Sequence, residues 1–286
     1  MVPTKYTEEN TSFFERMKIY ADQILHRTVV ETADSPAFLG NRIGFQFINE
    51  ALLMAEKYRY NGGIDYIDAI LGPFTGRSMP PLVTANFVGL DVHRAIVKNL
   101  YDNTDDYAHE TFILPAFLQK LINDGKTGRK AGAGLYKTVI HDSGLKSHQV
   151  YGYYRDQMKY TFPFVEEMLL FLQVGNYASA FRALVENQSA EARLCCEFLL
   201  KYIVYSLSAA KEIGCDMVAA DDVMAAGFHW CPPLALVEAI STITDIEKLC
   251  EERLEPKIVD KIKKQQLLAG AERSRYDYRK FVLAKR

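Results

Sequence analysis

Three residues stand out for chemistry. Asn41 and Arg42 sit at the mouth of a strongly apolar helical stretch, and Lys130 sits in a glycine-rich loop. A side-chain amide can hold an oxygen without titrating. An arginine can pair a carboxylate across a seam, or form a buried structural ion pair. Read by themselves, Asn41 is a helix-start residue that satisfies backbone groups, and Lys130 is a solvated loop cation. The loop Gly125-Lys-Thr-Gly-Arg-Lys-Ala-Gly-Ala-Gly-Leu-Tyr136 invites a phosphate reading. However, it lacks the Walker pattern and follows a helix, not a strand. The six histidines are scattered: His26, His93, His109, His141, His148 and His229. No Ser/His/Asp set can be assembled from them, and His109-Glu110 has no metal-ligand spacing. Asp102, Asp105 and Asp106 read as a solvated acidic loop, and Trp230 as packed between two halves of the chain.

The elements that must position these residues are helical. From Gly44 to Ala55, apolar or small residues recur at Gly44, Phe47, Ile48, Ala51, Leu52 and Ala55, one face of a helix. Further helices are expected at Asp65 to Leu71, Phe87 to Leu100, Thr111 to Asn123, Phe164 to Gly175, Tyr177 to Glu186, Glu191 to Ile213, Ala220 to Ala226 and Leu234 to Arg253. Lys137 to Lys159 reads as an irregular connector. Pro256 to Arg286, with Lys261, Lys263, Lys264, Arg273, Arg275 and Arg279 interleaved by Asp260, Glu272 and Asp277, reads as a solvated helix or tail. Thr28 to Thr32 gives almost the only strand signal, and Asp34, Ser35 and Pro36 signal a helix start. The class is all-α.

Composition narrows the function. A net charge of -2 gives no electrostatic footprint for nucleic acid. No apolar run approaches the roughly 18–20 residues that span a bilayer. The first ten residues have no apolar core of the signal-peptide kind, so a cytoplasmic location is expected. Five cysteines without Cys-x-x-Cys or zinc spacing read as reduced, mostly buried thiols.

A faint repeat is present. Arg77-Ser-Met-Pro-Pro-Leu-Val83 echoes His229-Trp-Cys-Pro-Pro-Leu-Ala235. Each follows a short helix with an Asp near its start (Asp68, Asp222) and a later Gly (Gly72, Gly227). Two copies of one helical unit are expected.

Asp34 to Arg42 resembles the D-x-P-G-F-x-x-N-R hinge of the 3-hydroxyacyl-CoA dehydrogenase family. Leu82-Val-Thr-Ala-Asn-Phe-Val-Gly-Leu-Asp91 is similar to the family's L-x-D-x-V-G-L-D, and Gly125 to Tyr136 to its G-x-x-G-x-K-x-G-x-G-F-Y. The departures are Ala37 for Gly, Asn86 for Asp and Leu135 for Phe. The resemblance implies two tandem helical units like the 6-phosphogluconate dehydrogenase C-terminal domain, arranged as a pseudo-dimer. Residues 1–34 would be the last helix and strand of a Rossmann domain, 35–137 the first unit, 138–188 a connector with helices, and 189–286 a second, degenerate unit and tail. It implies Asn41 as the catalytic amide, which holds the substrate oxygen or the catalytic His, and Lys130 as a contact to NAD.

No Gly-x-Gly-x-x-Gly occurs in the 286 residues. The resemblance therefore implies that NAD and the catalytic His and Glu belong to an N-terminal dinucleotide-binding domain not encoded here. The function implied is the substrate-binding and assembly portion of an NAD-dependent oxidoreductase of fatty-acid (β-oxidation) or butanoate metabolism. Acyl-CoA would be its substrate, it would be inactive on its own, and it would be open to homo-oligomerisation. The cationic tail could then meet a CoA phosphate. The rival reading is a non-catalytic acyl-CoA-binding or protein-interaction module.

Overall fold

The computed structural model describes residues 1–152, 155–269 and 273–285. Glu272 and Arg286 of the charged tail lie outside the described residues. With 61% helix against 5% strand, the chain is all-α, as its periodicity implied.

Helices α1 (Lys5–Glu9) and α2 (Thr11–Ile19) lead through a π turn to a stretch without regular structure at residues 26–32. The first unit follows: α3 (Phe38–Lys57), α4 (Ile64–Ile70), α5 (Pro81–Val88), α6 (Leu90–Asn103) and α7 (Ala116–Asn123). The expected helix at Phe87 to Leu100 is broken by Gly89, which sits at φ 109°, where an L side chain is strained. Three antiparallel strands come next, β1 (Tyr136–Ile140), β2 (Lys146–Val150) and β3 (Arg155–Asp156), with Tyr136 opposite Val150. The irregular connector is therefore a small sheet. Its alternation was hidden because most of its residues stay exposed and only Val150 is fully buried.

Helices α8 (Pro163–Gln173) and α9 (Tyr177–Val185) lead into the second unit: α10 (Ala190–Glu212), α11 (Val218–Val223), α12 (Pro233–Ser241), α13 (Ile246–Arg253) and α14 (Pro256–Gln265). A π-helical turn, Met224–Phe228, continues α11. Among the described residues, no single helix is long and apolar enough to cross a membrane.

The two units repeat the same wiring. In the first, Asp68 accepts the Leu82 and Val83 amides at 2.8 and 3.1 Å and the Tyr136 hydroxyl at 2.6 Å, while Asn86 accepts the Tyr136 amide at 3.3 Å. In the second, Asp221 accepts the Leu234 amide at 2.8 Å and the Ser274 hydroxyl at 2.5 Å, while Glu238 accepts the Ser274 amide at 2.8 Å. An aspartate thus caps the helix after each Pro-Pro and fastens the closing segment of each unit. Asp221 holds that place, not Asp222, which receives the Tyr276 hydroxyl at 2.9 Å. The expected solvated tail is therefore part of the fold: Leu267 and Val282 are buried, and Tyr278 lies edge-on to Phe181.

The units meet along α3 and α10. Phe47 packs edge-on against Phe198, Tyr202 and Trp230, with centroids 5.5, 5.9 and 5.5 Å away. Arg77 is buried beneath the same rings, its guanidinium carbon 3.9 Å from the Phe47 centroid and 4.7 Å from that of Trp230. Trp230 thus lies between the halves. The Cys231 amide donates to the Gly76 carbonyl across the junction at 2.6 Å. A side chain at Gly76 would come within 2.5 Å of the Cys231 Cβ.

Two predictions follow from this wiring. Ala37, where the family motif has Gly, caps α3 at φ 60°, ψ 5°. That left-handed geometry costs an L residue roughly 1–2 kcal/mol. Ala37→Gly should raise unfolding free energy by up to about 1 kcal/mol, measured by urea titration, whereas Gly at an ordinary helical alanine lowers it by about as much.

Burial pushes Asp68 up to about 7, against the hydrogen bonds it accepts from Tyr136, Leu82 and Val83. Because the folded value exceeds the ordinary 3.8, folding favours the protonated acid. This contribution is complete below pH ~4 and is lost as pH rises toward ~7. Urea midpoints across that window should fall less steeply with pH in Asp68→Asn than in the parent.

Candidate functional site

The first turn of α3 opens onto a cleft of about 830 Å³. Three segments wall it: Met1, Val2 and residues from His26 to Thr32; Phe38 to Asn41 of α3; and Asp222, Val223, Ala226, Gly227 and Phe228 of the second unit. Asn41 is half-buried and faces this space. Among the described residues, its side chain makes no hydrogen bond. The expected helix-start role therefore does not hold: α3 begins at Phe38, with no side-chain cap.

The second unit reaches this wall because α3 is bare there. A Cβ on Gly44 would lie 2.3 Å from the Phe228 ring, and one on Gly40 would lie 3.4 Å from the Val223 Cβ. The ring of Phe228 rests on the backbone of α3 at Gly44, the neighbour of Asn41 three residues on.

The N-terminal wall is held by backbone. The Met1 amino group donates to the Val30 carbonyl, and the Thr32 amide donates to the Met1 carbonyl at 3.0 Å. This is a single parallel pairing around Glu31, too short to count as a strand. Helices α1 and α2 and the π turn beside it leave Tyr6, Ile19, Ile24 and Leu25 exposed.

Arg42, next to Asn41, is structural. It donates to Asp106 at 2.6 Å, Glu212 at 2.5 Å and Tyr205 at 3.1 Å. Burial alone would lower its pKa, but Tyr205 and Asp106 together raise it. Asp106, expected in a solvated loop, is drawn inside by this pair and by the Tyr205 hydroxyl at 2.9 Å. Lys201 of α10 reaches Glu50 of α3 at 2.9 Å, a second charged tie between the units.

Lys130 lies elsewhere. Its ammonium pairs with Asp91 at 2.7 Å, and that contact holds the Asp91 carboxyl below its usual range. Arg42 meets Asp106 just past the end of α6, while Phe45 and Asn49 meet His93 near its start. Helix α6 therefore runs back along α3, and Asp91 with Lys130 sits at the end away from Asn41. Lys130 does not line the Asn41 cleft. Two glycines of its loop serve packing: a Cβ at Gly128 would meet the Asn86 carbonyl at 2.4 Å, and one at Gly134 the Asn86 side chain at 2.3 Å.

The residues described do not by themselves fit a dinucleotide. No Gly-x-Gly-x-x-Gly turn exists, and the Gly128 amide of the glycine loop is spent on the Ala133 carbonyl at 2.8 Å. No cluster of three or more metal-type side chains occurs among them. The cysteines are free thiols, four of them buried, as expected.

Residues 38–138 match the family described as 3-hydroxyacyl-CoA dehydrogenase, C-terminal domain. They belong to it. The chain is 29% identical to a probable 3-hydroxyacyl-CoA dehydrogenase of Bacillus subtilis over 253 residues, which cover 87% of this chain and 31% of that protein. It is 33% identical to the 3-hydroxybutyryl-CoA dehydrogenase of Bradyrhizobium diazoefficiens over 43% of this chain and 40% of that protein. The crystal structure of 3-hydroxybutyryl-CoA dehydrogenase from Escherichia coli overlaps 85% of this chain and 62% of that one, at 16% identity and a TM-score of 0.49. The chain spans less than half the length of both curated relatives.

Within the matched residues, the departures from the motifs fit their surroundings. Asn86 still accepts the Tyr136 amide, and Leu135 is fully buried. Sequence reasoning missed Phe228, Val223 and Ala226 as cleft residues. The one usable signal was the glycine pair Gly40 and Gly44, spaced to let another element lie on α3.

The contrast between two adjacent residues is testable. Asp106→Ala, which leaves the buried Arg42 with Glu212 and the Tyr205 hydroxyl alone, should cost about 1.5–3 kcal/mol in urea unfolding. Asn41→Ala, which breaks no hydrogen bond, should change stability by less than about 0.5 kcal/mol.

Proposed function

We propose that this chain is the substrate-binding and assembly portion of a 3-hydroxyacyl-CoA dehydrogenase, and that Asn41 presents its amide to the substrate oxygen in the cleft. One observation carries the reading: a polar side chain at the family's Asn-Arg position faces an open cleft without a partner, while its neighbour Arg42 is tied into the core. The amide neither titrates nor needs a counter-ion, so it can hold a carbonyl or hydroxyl oxygen through the reaction.

The reading places the base and NAD on a dinucleotide-binding lobe. That lobe would pack on the exposed apolar side chains of α1 and α2 and extend the parallel pairing of Met1 with residues 30–32. A parallel pair this short is unstable unless it joins a larger sheet whose faces are covered by helices. Lys130 would contribute to the cofactor from the other end of α6, beside the exposed Phe87, Val88 and Val92.

The 286 residues alone should bind acetoacetyl-CoA in calorimetry without NAD and should not oxidise NADH with it. Asn41→Ala should weaken that binding about tenfold, the loss of one hydrogen bond of about 1.5 kcal/mol. Turnover by the chain alone would overturn the assignment of the base to another lobe. Absence of acyl-CoA binding would leave the interaction-module reading.

A further inference from the structure

We infer that the second unit sets the acyl-chain preference of the cleft, with Phe228 as its floor and Ala226 at its wall. The inference rests on the reading of the cleft as an acyl-CoA site, and it assigns the degenerate unit a role in specificity beyond assembly.

Three observations lead to it. First, the second unit lies in direct contact with the Asn41 turn. Phe228 rests on Gly44, a neighbour of Asn41 on the same face of α3, and Val223 rests on Gly40. Any group held by the Asn41 amide therefore has these side chains beside it.

Second, the lining suits a ligand with a polar head and an alkyl tail. Val2, Val30, Phe38, Val223, Ala226 and Phe228 supply apolar surface, with Asn41 among them. Arg27, also in the lining, is exposed and makes no ion pair among the described residues. It is a cation for an anionic carrier such as the phosphates of coenzyme A. Asp222, the acid in the lining, is neutralised by Arg275 and also receives the Tyr276 hydroxyl. The field around an anionic thioester is thus attractive. At about 830 Å³ the cleft lies in the range of small-ligand sites.

Third, Phe228 and Ala226 sit on the π-helical turn Met224–Phe228, which ends at His229 with φ 52°. The wider turn carries the Phe228 ring onto α3, where Trp230 braces it edge-on, with centroids 5.2 Å apart. Trp230 is the only tryptophan in the chain, so its emission reports on that ring.

A ligand that fits further methylenes against apolar surface gains about 0.8 kcal/mol, or roughly fourfold in affinity, for each one buried. The floor residue decides where that gain stops. The parent, Phe228→Ala, Ala226→Trp and Asn41→Ala forms of the 286-residue chain can be titrated by calorimetry with acetoacetyl-CoA, 3-oxododecanoyl-CoA and free coenzyme A, with Trp230 emission followed in the parent. Ala226 is exposed, so its substitution tests the wall without disturbing the core.

The expected results are a long-to-short affinity ratio at least tenfold higher in Phe228→Ala and at least tenfold lower in Ala226→Trp. In the parent, 3-oxododecanoyl-CoA should shift Trp230 emission, and free coenzyme A should not. If both thioesters bind and Asn41→Ala weakens them, but neither second-unit variant moves the ratio, the inference fails and the acyl-CoA reading stands. If the parent binds neither thioester, both fail.

Discussion

The packing of α3 against α10 is the constraint on which everything else rests. A twenty-residue helix buried on nearly all sides must satisfy its few polar groups internally, and α3 does so with partners from both units. Arg42 is held by Asp106 and Glu212, and Glu50 by Lys201. Pulling Arg42 away would strand the buried Asp106, so the units cannot slide past each other cheaply. The same contact delivers the π-helical turn of the second unit to the first turn of α3, where two glycines leave room for it. The cleft at Asn41 is thus a by-product of how the units lock.

Tandem wiring explains why a degenerate second copy keeps its shape. The aspartate at each helix start needs only backbone amides and one hydroxyl, so Tyr136 in one copy and Ser274 in the other serve equally. What persists is the cap. Phe228 of the second unit faces the first, resting on Gly44.

The helices were legible because their apolar periodicity is strong. The hinge was legible because Asp34 to Arg42 carries an uncommon order of residue types. The sheet at β1 to β3 was not, since a strand lying on the surface shows little alternation. The tail misled for a similar reason: its alternating charges describe the outer face of α14, while Leu267, Tyr278 and Val282 anchor it. Asp106 sits among acidic neighbours, and only the arrival of Arg42 and Tyr205 from distant positions buries it. For the cleft, Asn41 could be proposed from its motif, and it lines the space. The side chains opposite it could not, because they depend on how the two units pack.

The central claim is that the Asn41 amide faces an open cleft and meets the substrate oxygen there. The side-chain NH₂ signals of Asn41 in an amide correlation spectrum, assigned by their loss in Asn41→Asp, test it most directly. Saturating acetoacetyl-CoA should shift both protons, and free coenzyme A should leave them in place. Signals that stay put while acetoacetyl-CoA perturbs residues elsewhere would contradict the account.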